Sequence, residues 1–217
     1  MAKYIDQYRA LMRGMSPEEV ADYYTNWAEN TKYDQDLKPG IYNCPTIAAN
    51  EVAKCFPEDR DRIKIIDIAC GTGRVGVELA VHGFKDIDGL DGSDGMLKQC
   101  QDKGLYKNLY KEFCGHTTLP IDDDVYDCLV VSGGMGENHI PLSGIFEMIR
   151  IVKPGGFIIL IVRKEFVDRG GEDIDNLETF VAKLESEDKV EILEHREVAN
   201  YSFDRDGVIF KMKKSCI

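Results

Sequence analysis

Long apolar runs are missing from this chain. No run approaches the ~20 consecutive apolar residues that a membrane-spanning helix needs. The first residues, MAKYIDQYRALMRG, also lack the apolar centre of a secretory signal peptide. We therefore expect a cytoplasmic protein without a membrane partner, and the length favours one domain over residues 1–217.

Positive charge is also scarce. Lys and Arg number 27 against 39 Asp and Glu, so the formal net charge is −12. Lysines such as Lys213 and Lys214 are scattered or paired, and they form no broad basic stretch. A nucleic-acid partner requires cations that neutralise its phosphates, so the balance argues against DNA or RNA and favours a small molecule.

The cysteines lack the spacing of a metal or redox site. There are seven of them, an odd number, and no C-x-x-C occurs. The pattern therefore predicts reduced thiols, with neither a disulfide framework nor a zinc site. No repeat, low-complexity tract or linker marks a domain boundary.

What the chain does contain is an alternation of strand and helix patterns from Arg62 onward. The predicted strands cover residues 63–69, 86–91, 106–113, 126–132, 156–162, 190–201 and 207–213. Predicted helices cover residues 75–82, 93–104, 141–152 and 174–184, after N-terminal helices that begin at Ser16-Pro17 and at Asn43-Cys44-Pro45. A turn over residues 204–207 makes the last two strands antiparallel. The order predicts an α/β fold with a mostly parallel sheet.

Residues 65–73 read IIDIACGTG, an apolar strand that leads from an acid into glycines. Gly71, Gly73 and Gly76 fit the G-x-G-x-x-G pattern of dinucleotide sites, and Asp91 ends the next strand, where an acid binds ribose. Asp67 would repel a pyrophosphate, whereas a ligand with an ammonium and a sulfonium would be attracted. The nine residues alone do not choose between these ligands.

Three segments resemble the motifs of class I S-adenosylmethionine (SAM)-dependent methyltransferases in order and spacing: DIACGTG (67–73), GLDGSDGML (89–97) and VKPGGF (152–157). Longer stretches, such as VVSGGMGENHIP, resemble the methyltransferase-like subfamily of the Williams–Beuren syndrome region. The resemblance implies a Rossmann-like, doubly wound, seven-stranded sheet with an antiparallel C-terminal hairpin. It also implies SAM as cofactor, an N-terminal helical lid over residues 1–57 and a SAM-binding core over residues 58–217.

The resemblance assigns most cofactor contacts. We expect Asp91 to accept hydrogen bonds from the ribose hydroxyls and Asp67 to hold the amino end, although Asp67 could instead cap local amides. No carboxylate stands at Cys114-Gly115, where many relatives have one for adenine. The other expected contacts are Ala69, Gly71 and Gly73 at the methionine chain, Gly92, Ser93 and Met96 at the adenine, the backbone near His116 and Thr117 at its amino group, and Ser132 and Gly133 near the methyl group.

Aromatic residues near the N-terminus and one loop complete the expected site. Tyr24, Trp27 and Tyr33 would close over the cofactor as a lid, or would simply pack on the sheet. His139 is a candidate general base, since an unperturbed imidazole pKa of ~6.5 suits proton transfer at neutral pH. Glu137 or His139 could orient the acceptor, and the alternative for His139 is an exposed or capping residue before Pro141.

The sequence therefore favours methyl transfer from SAM to nitrogen or oxygen of a small-molecule acceptor, with S-adenosylhomocysteine as product. The acidic net charge favours an amine as that acceptor. A protein methyltransferase, a SAM-binding protein without turnover and a nicotinamide-dependent oxidoreductase stand as alternatives.

Overall fold

A computed structural model describes residues 14–136, 138–168 and 176–216. Within them, seven strands form a single sheet. The strands are β1 (Lys64–Ile68), β2 (Asp86–Asp91), β3 (Leu109–Lys111), β4 (Tyr126–Ser132), β5 (Val152–Arg163), β6 (Val190–Ser202) and β7 (Arg205–Lys214). Their spatial order is β3-β2-β1-β4-β5-β7-β6.

The pairing of the strands confirms the predicted fold class. Strands β1 to β5 pair in parallel, whereas β7 lies antiparallel between β5 and β6. The sheet is therefore mostly parallel, with a reversed hairpin at one end. Chain order reverses between β1 and β4, and open α/β sheets bind ligands beyond the carboxyl ends of the strands at such a point.

Helices flank the sheet, and local sequence explains where several of them start. They are α1 (Pro17–Ala28), α2 (Lys32–Asp36), α3 (Cys44–Cys55), α4 (Arg74–Val81), α5 (Asp94–Lys103), α6 (Gly144–Ile151), α7 (Lys164–Asp168) and α8 (Leu177–Ser186), with 3₁₀ turns at Glu29–Thr31 and Arg60–Arg62. The amide of Glu19 donates to the Ser16 hydroxyl, and the amide of Ser16 donates to the Glu19 carboxylate. This reciprocal capping box confirms the predicted start of α1.

Several predicted boundaries are wrong. The third strand covers only Leu109–Lys111, because Tyr106 turns inward beneath the glycine loop. Strand β5 begins at Val152, which pairs with β4 instead of continuing α6. The hairpin turns at Phe203 and Asp204, whose φ angles of 52° and 59° suit the right-handed twist of the flanking strands. The last helix begins at Leu177, and residues 174–175 of its predicted range lie outside the described residues.

Strand β4 shows how the core positions the site. Its residues alternate between two apolar clusters, with Leu129 and Val131 in one cluster and Cys128 and Val130 in the other. Burial on both faces fixes β4 at the centre of the sheet, so its carboxyl end is a rigid wall for a ligand. In the described part of the chain, no helix is long and apolar enough to cross a bilayer.

Candidate functional site

A cavity opens at the carboxyl ends of β1, β2 and β4, where the strand order reverses. It encloses about 800 Å³, including space open to solvent. We call it the main cavity. The sheet side of its wall includes Ala69, Gly71, Asp91, Gly92, Met96, Phe113, His116, Ser132 and Gly133, and the N-terminal side includes Tyr24, Tyr33 and Tyr42.

Asp91 is the acidic side chain at the centre of this wall. Its two carboxylate oxygens accept hydrogen bonds from the amides of Gly71 and Ser93, both at 2.9 Å. Burial raises the pKa of Asp91, and the two amide bonds act in the opposite direction. Each oxygen of a carboxylate has two lone pairs, so Asp91 keeps acceptor capacity for a ligand hydroxyl.

The backbone of the loop after β1 is shaped for close approach of a ligand. Gly71 has a φ of 56°, and a Cβ atom added there would meet no atom within 4 Å. Ala69 adopts the same φ of 56°, a left-handed conformation that is uncommon for a residue with a side chain. Such strain costs on the order of 1–3 kcal/mol and clusters at ligand sites. Open space at Gly71 and acceptor capacity at Asp91 fit an adenosyl ligand.

Asp67 lies beneath this loop instead of lining the cavity. It is fully buried, and the Tyr106 hydroxyl donates to its Oδ2 at 2.6 Å. Among the described residues, its Oδ1 has no hydrogen-bond partner. Burial raises the pKa of Asp67 to about 7, partly offset by the Tyr106 hydrogen bond. The Asp67 carboxyl group is therefore partly ionised near neutral pH.

Tyr106 explains two glycines of the G-x-G-x-x-G pattern. A Cβ atom at Gly76 would lie 2.5 Å from the Tyr106 ring, and one at Gly73 would lie 3.1 Å from it. The amide of Gly76 also donates to the Tyr106 hydroxyl at 2.9 Å. Gly73 and Gly76 thus make room for a partly buried ring, and the pattern that resembles a dinucleotide site has a packing cause here.

Helix α1 brings aromatic side chains over the main cavity. It is attached to the start of α5, because the hydroxyls of Thr25 and Ser93 lie 2.8 Å apart and the amide of Gly95 donates to Thr25 Oγ1 at 3.3 Å. A Cβ atom at Gly95 would come within 2.8 Å of the Thr25 backbone. The small size of Gly95 therefore permits this close contact.

A hydrogen bond connects α1 to the loop after β4. The Tyr24 hydroxyl and Nε2 of His139 lie 2.8 Å apart, and their rings meet edge to face with centroids separated by 5.8 Å. Both side chains line the main cavity and also an adjoining second cavity. The pair can therefore exchange a proton at the boundary between two ligand-sized spaces.

The second cavity is walled mainly by rings. It encloses about 600 Å³, including space open to solvent. Besides Tyr24 and His139, its lining includes Trp27, Tyr33, Tyr42, Arg163 and Tyr201. Trp27 is held in place by a hydrogen bond from its Nε1 to Asp36 at 2.9 Å.

The structure brings most of the predicted site residues together. Tyr24, Tyr33, Ala69, Gly71, Asp91, Gly92, Met96, His116, Ser132, Gly133 and His139 line the main cavity, and Trp27 lines the second. Asp67, Gly73, Ser93 and Thr117 do not line either one. Ser93 is buried as the cap of α5, and Thr117 contacts Glu112. Glu137 lies outside the described residues, and the roles expected for all of these residues stay predictions.

Several lining residues were missed. Glu112 and Phe113 follow β3 at the edge where ligands bind, so strand position could have indicated them. Glu112 adds a carboxylate to the cavity wall that also contains His116, where the sequence predicted backbone contacts to the adenine. Arg163 ends β5, so strand position could have indicated it as well, whereas Tyr42 carries no local signal because long-range packing places it. Within the described ranges, no group of three or more His, Cys, Asp or Glu side chains could hold a metal ion.

Comparisons with known proteins agree with this geometry. Residues 65–156 match the methyltransferase domain family. The chain is 36% identical over 141 residues to methyltransferase-like protein 27 of Homo sapiens, covering 65% of this chain and 56% of that protein. The solved [4+2]-cyclase SpnF has a TM-score of 0.70 at 16% identity, over 94% of this chain and 97% of that chain. A SAM-dependent methyltransferase from Aquifex aeolicus has a TM-score of 0.60 at 19% identity, over 84% and 97%.

Residues 65–156 therefore resemble a methyltransferase domain, and the sheet that contains them has the Rossmann-like strand order expected for class I enzymes. The match to the methyltransferase domain family supports SAM as its cofactor. The relative in Homo sapiens supports the methyltransferase-like resemblance, while the Williams–Beuren assignment stays a prediction. The likenesses to solved structures show the fold alone, and the chain spans about half the length of the curated relatives it matches.

We expect Asp67→Asn to stabilise the ligand-free protein at about pH 8 by on the order of a few kcal/mol. The pKa of Asp67 is about 7 in the folded protein against 3.8 for an ordinary aspartate. The folded state therefore binds the extra proton between these values, and wild-type stability falls as pH rises through this window. Above about pH 7 the free energy of unfolding of the wild type should be lower than that of Asp67→Asn by a constant amount. Near pH 4 the two free energies should be equal.

Urea unfolding of the wild type and of Asp67→Asn across this pH range measures the difference between their free energies of unfolding. Asp94→Asn is the matched control, because Asp94 is largely exposed and its change should be small at every pH. A difference between wild type and Asp67→Asn that does not depend on pH would contradict the account.

Proposed function

We propose that this chain transfers the methyl group of SAM to a nitrogen or oxygen atom of a small-molecule acceptor. The observation that carries the proposal is the Tyr24–His139 hydrogen bond at the boundary between the main and second cavities. One space would hold the cofactor and the other the acceptor. A titratable pair between two such spaces can take up a proton as the acceptor reacts.

The main cavity would bind the cofactor by its sugar and its methionine chain. Asp91 would accept hydrogen bonds from the ribose hydroxyls, as its remaining lone pairs allow. Gly92 and Phe113 would face the adenine, with Met96 packed beneath it. Ala69 and Gly71 would border the methionine chain. The Asp67 carboxylate would attract the ammonium group of that chain from beneath the loop.

Bound SAM supplies a methyl group on a positively charged sulfur. In the proposed transfer, an acceptor oxygen or nitrogen bonds to the methyl carbon while the carbon–sulfur bond breaks and the sulfur keeps the electron pair. The acceptor's proton would pass to the Tyr24 oxygen as Tyr24 gives its own proton to His139 Nε2. Holding the reactants in line can supply ~7–11 kcal/mol of the barrier reduction.

The second cavity supports a small acceptor. Its lining includes the rings of Tyr24, Trp27 and Tyr42, and rings of this kind exclude water from a reacting centre.

We also propose a cytoplasmic location, supported by seven cysteines that are all unpaired.

Residues 1–57 would form a lid over a core of residues 58–217. Three contacts of the described lid residues support this division: Thr25 with Ser93, Asp34 with Thr72 at 2.6 Å, and Asp34 with Lys103 at 3.2 Å. Each one joins the lid to the glycine loop or to α5, so the lid would order together with the walls of the cofactor cavity.

Asp91→Asn should raise the dissociation constant for S-adenosylhomocysteine at least about tenfold, because a hydrogen bond to a charged group is lost. Titration calorimetry measures this constant. Asp94→Asn, three residues away on α5, removes an exposed carboxylate and should leave the constant unchanged. Equal affinities for Asp91→Asn and wild type would rule out the ribose role.

Tyr24→Phe should slow methyl transfer by about tenfold or more while leaving the affinity for S-adenosylhomocysteine unchanged, because only the proton route is lost. The assay would use methyl-labelled SAM and the small-molecule fraction of a cell extract, with mass spectrometry of labelled products. Tyr23→Phe is the control, since Tyr23 neighbours Tyr24 on α1 but lies outside both cavity linings. Binding of the cofactor without any labelled product would indicate a SAM-binding protein without turnover.

Gly95→Val should displace the lid and weaken binding of S-adenosylhomocysteine severalfold, because a side chain there meets the Thr25 backbone. Gln101→Val places the same side chain at an exposed position of α5 and should not change the affinity. Calorimetry and urea unfolding together separate this local effect from a loss of folding. A variant with unchanged affinity would remove the support for a lid.

A further inference from the structure

Arg163 gives the second cavity a positive charge. It ends β5, two residues beyond Ile161, which pairs with Ser132 at the end of β4. Alternation along the strand puts Arg163 on the same face as Ile161, which packs in the cluster that contains Tyr201. The guanidinium therefore stands beside the boundary between the two cavities, and it lines the second one.

Nearby cations have partners, and Arg163 differs from them. Lys164 pairs with Glu197 at 2.7 Å, and Arg205 pairs with Glu165 at 2.6 Å. Arg74 donates to the carbonyl oxygens of Leu37 and Tyr42. For Arg163, no hydrogen bond or ion pair is formed with any residue that the structure describes. A half-buried guanidinium with unused donors favours an anionic ligand.

The rest of the lining suits an anion as well. No Asp or Glu occurs among the described lining residues of the second cavity. Burial raises the pKa of Tyr33, Tyr42 and Tyr201, so these hydroxyls add no negative charge to the cavity at physiological pH. The positive charge of Arg163 opposes that rise at Tyr201, which shows that its field reaches into the cavity wall.

We propose that the methyl acceptor is a small organic acid whose carboxylate pairs with Arg163 while its body lies among the rings of the second cavity. This inference rests on the proposed methyl transfer and names its substrate class. A guanidinium binds a carboxylate through two parallel hydrogen bonds, which would fix the orientation of the acceptor. The hydroxyl or amine to be methylated would then face Tyr24 and His139. A cationic amine, which the net charge of the chain favoured, would be repelled by Arg163.

The test uses the full chain saturated with S-adenosylhomocysteine and three probes: benzoate, benzamide and phenyl phosphate. Trp27 is the only tryptophan of the chain and lines the second cavity, so its fluorescence reports binding there. Benzoate should bind at least about tenfold more tightly than the neutral benzamide, which has the same shape. Phenyl phosphate should bind no better than benzoate.

Variants assign the preference to Arg163. Arg163→Gln should abolish it, and Arg163→Lys should restore part of it, because the charge returns without the planar fork. Lys164→Gln removes the adjacent cation, which pairs with Glu197, and should keep the full preference. Affinity for S-adenosylhomocysteine should be the same in all four proteins, since none of these side chains lines the main cavity.

Two results would overturn the inference: no preference for benzoate over benzamide in the wild type, or a preference that survives in Arg163→Gln. If phenyl phosphate binds at least about tenfold more tightly than benzoate, the site prefers a phosphate to a carboxylate. That result would also overturn the inference. Failure of the wild type to bind S-adenosylhomocysteine would instead refute the proposed function itself, so the two failures are distinguishable.

Discussion

The carboxylate of Asp91 accepts the amide hydrogens of Gly71 and Ser93, and this pair of bonds connects three parts of the molecule. It joins the end of β2 to the loop after β1 and to the first turn of α5. Both oxygens are anchored to backbone, so the carboxylate is preorganised before any ligand arrives. The main cavity, the contact of α1 with α5 and the Tyr24–His139 pair are all arranged around this point.

Residues on both sides of the glycine loop support this arrangement of Asp91. The partly buried Tyr106 holds Asp67 below the glycine loop through its hydroxyl, and the volume of its ring explains why Gly76 carries no side chain. Above, α1 contacts α5 through Thr25, which brings Tyr24 to His139. A polar site is thus enclosed by apolar and aromatic surfaces, and electrostatic interactions in such a low-dielectric space are stronger than in water. The same enclosure makes the charge of Arg163 effective in selecting an acceptor.

Local chemistry allowed much of this architecture to be predicted. The capping box at Ser16, the cap at Ser93 and the apolar run of β4 depend on neighbouring residues, and the structure has all three. Asp91 was predictable because it ends a strand at the edge where ligands bind. Arg163 also ends a strand at that edge, but its place in a cavity walled by rings was not predictable, because that cavity depends on residues far away in sequence, such as Tyr42 and Tyr201. The net charge of the chain suggested an amine acceptor, but the net charge does not determine the charge of one cavity.

The most direct test of the central claim is a crystal structure of the chain with S-adenosylhomocysteine. In that structure the ribose hydroxyls should donate to the Asp91 carboxylate, with its bonds from Gly71 and Ser93 intact, and the sulfur should face the opening between Gly133 and the Tyr24–His139 pair. A ligand bound elsewhere, or an Asp91 side chain turned away from the ribose, would contradict it.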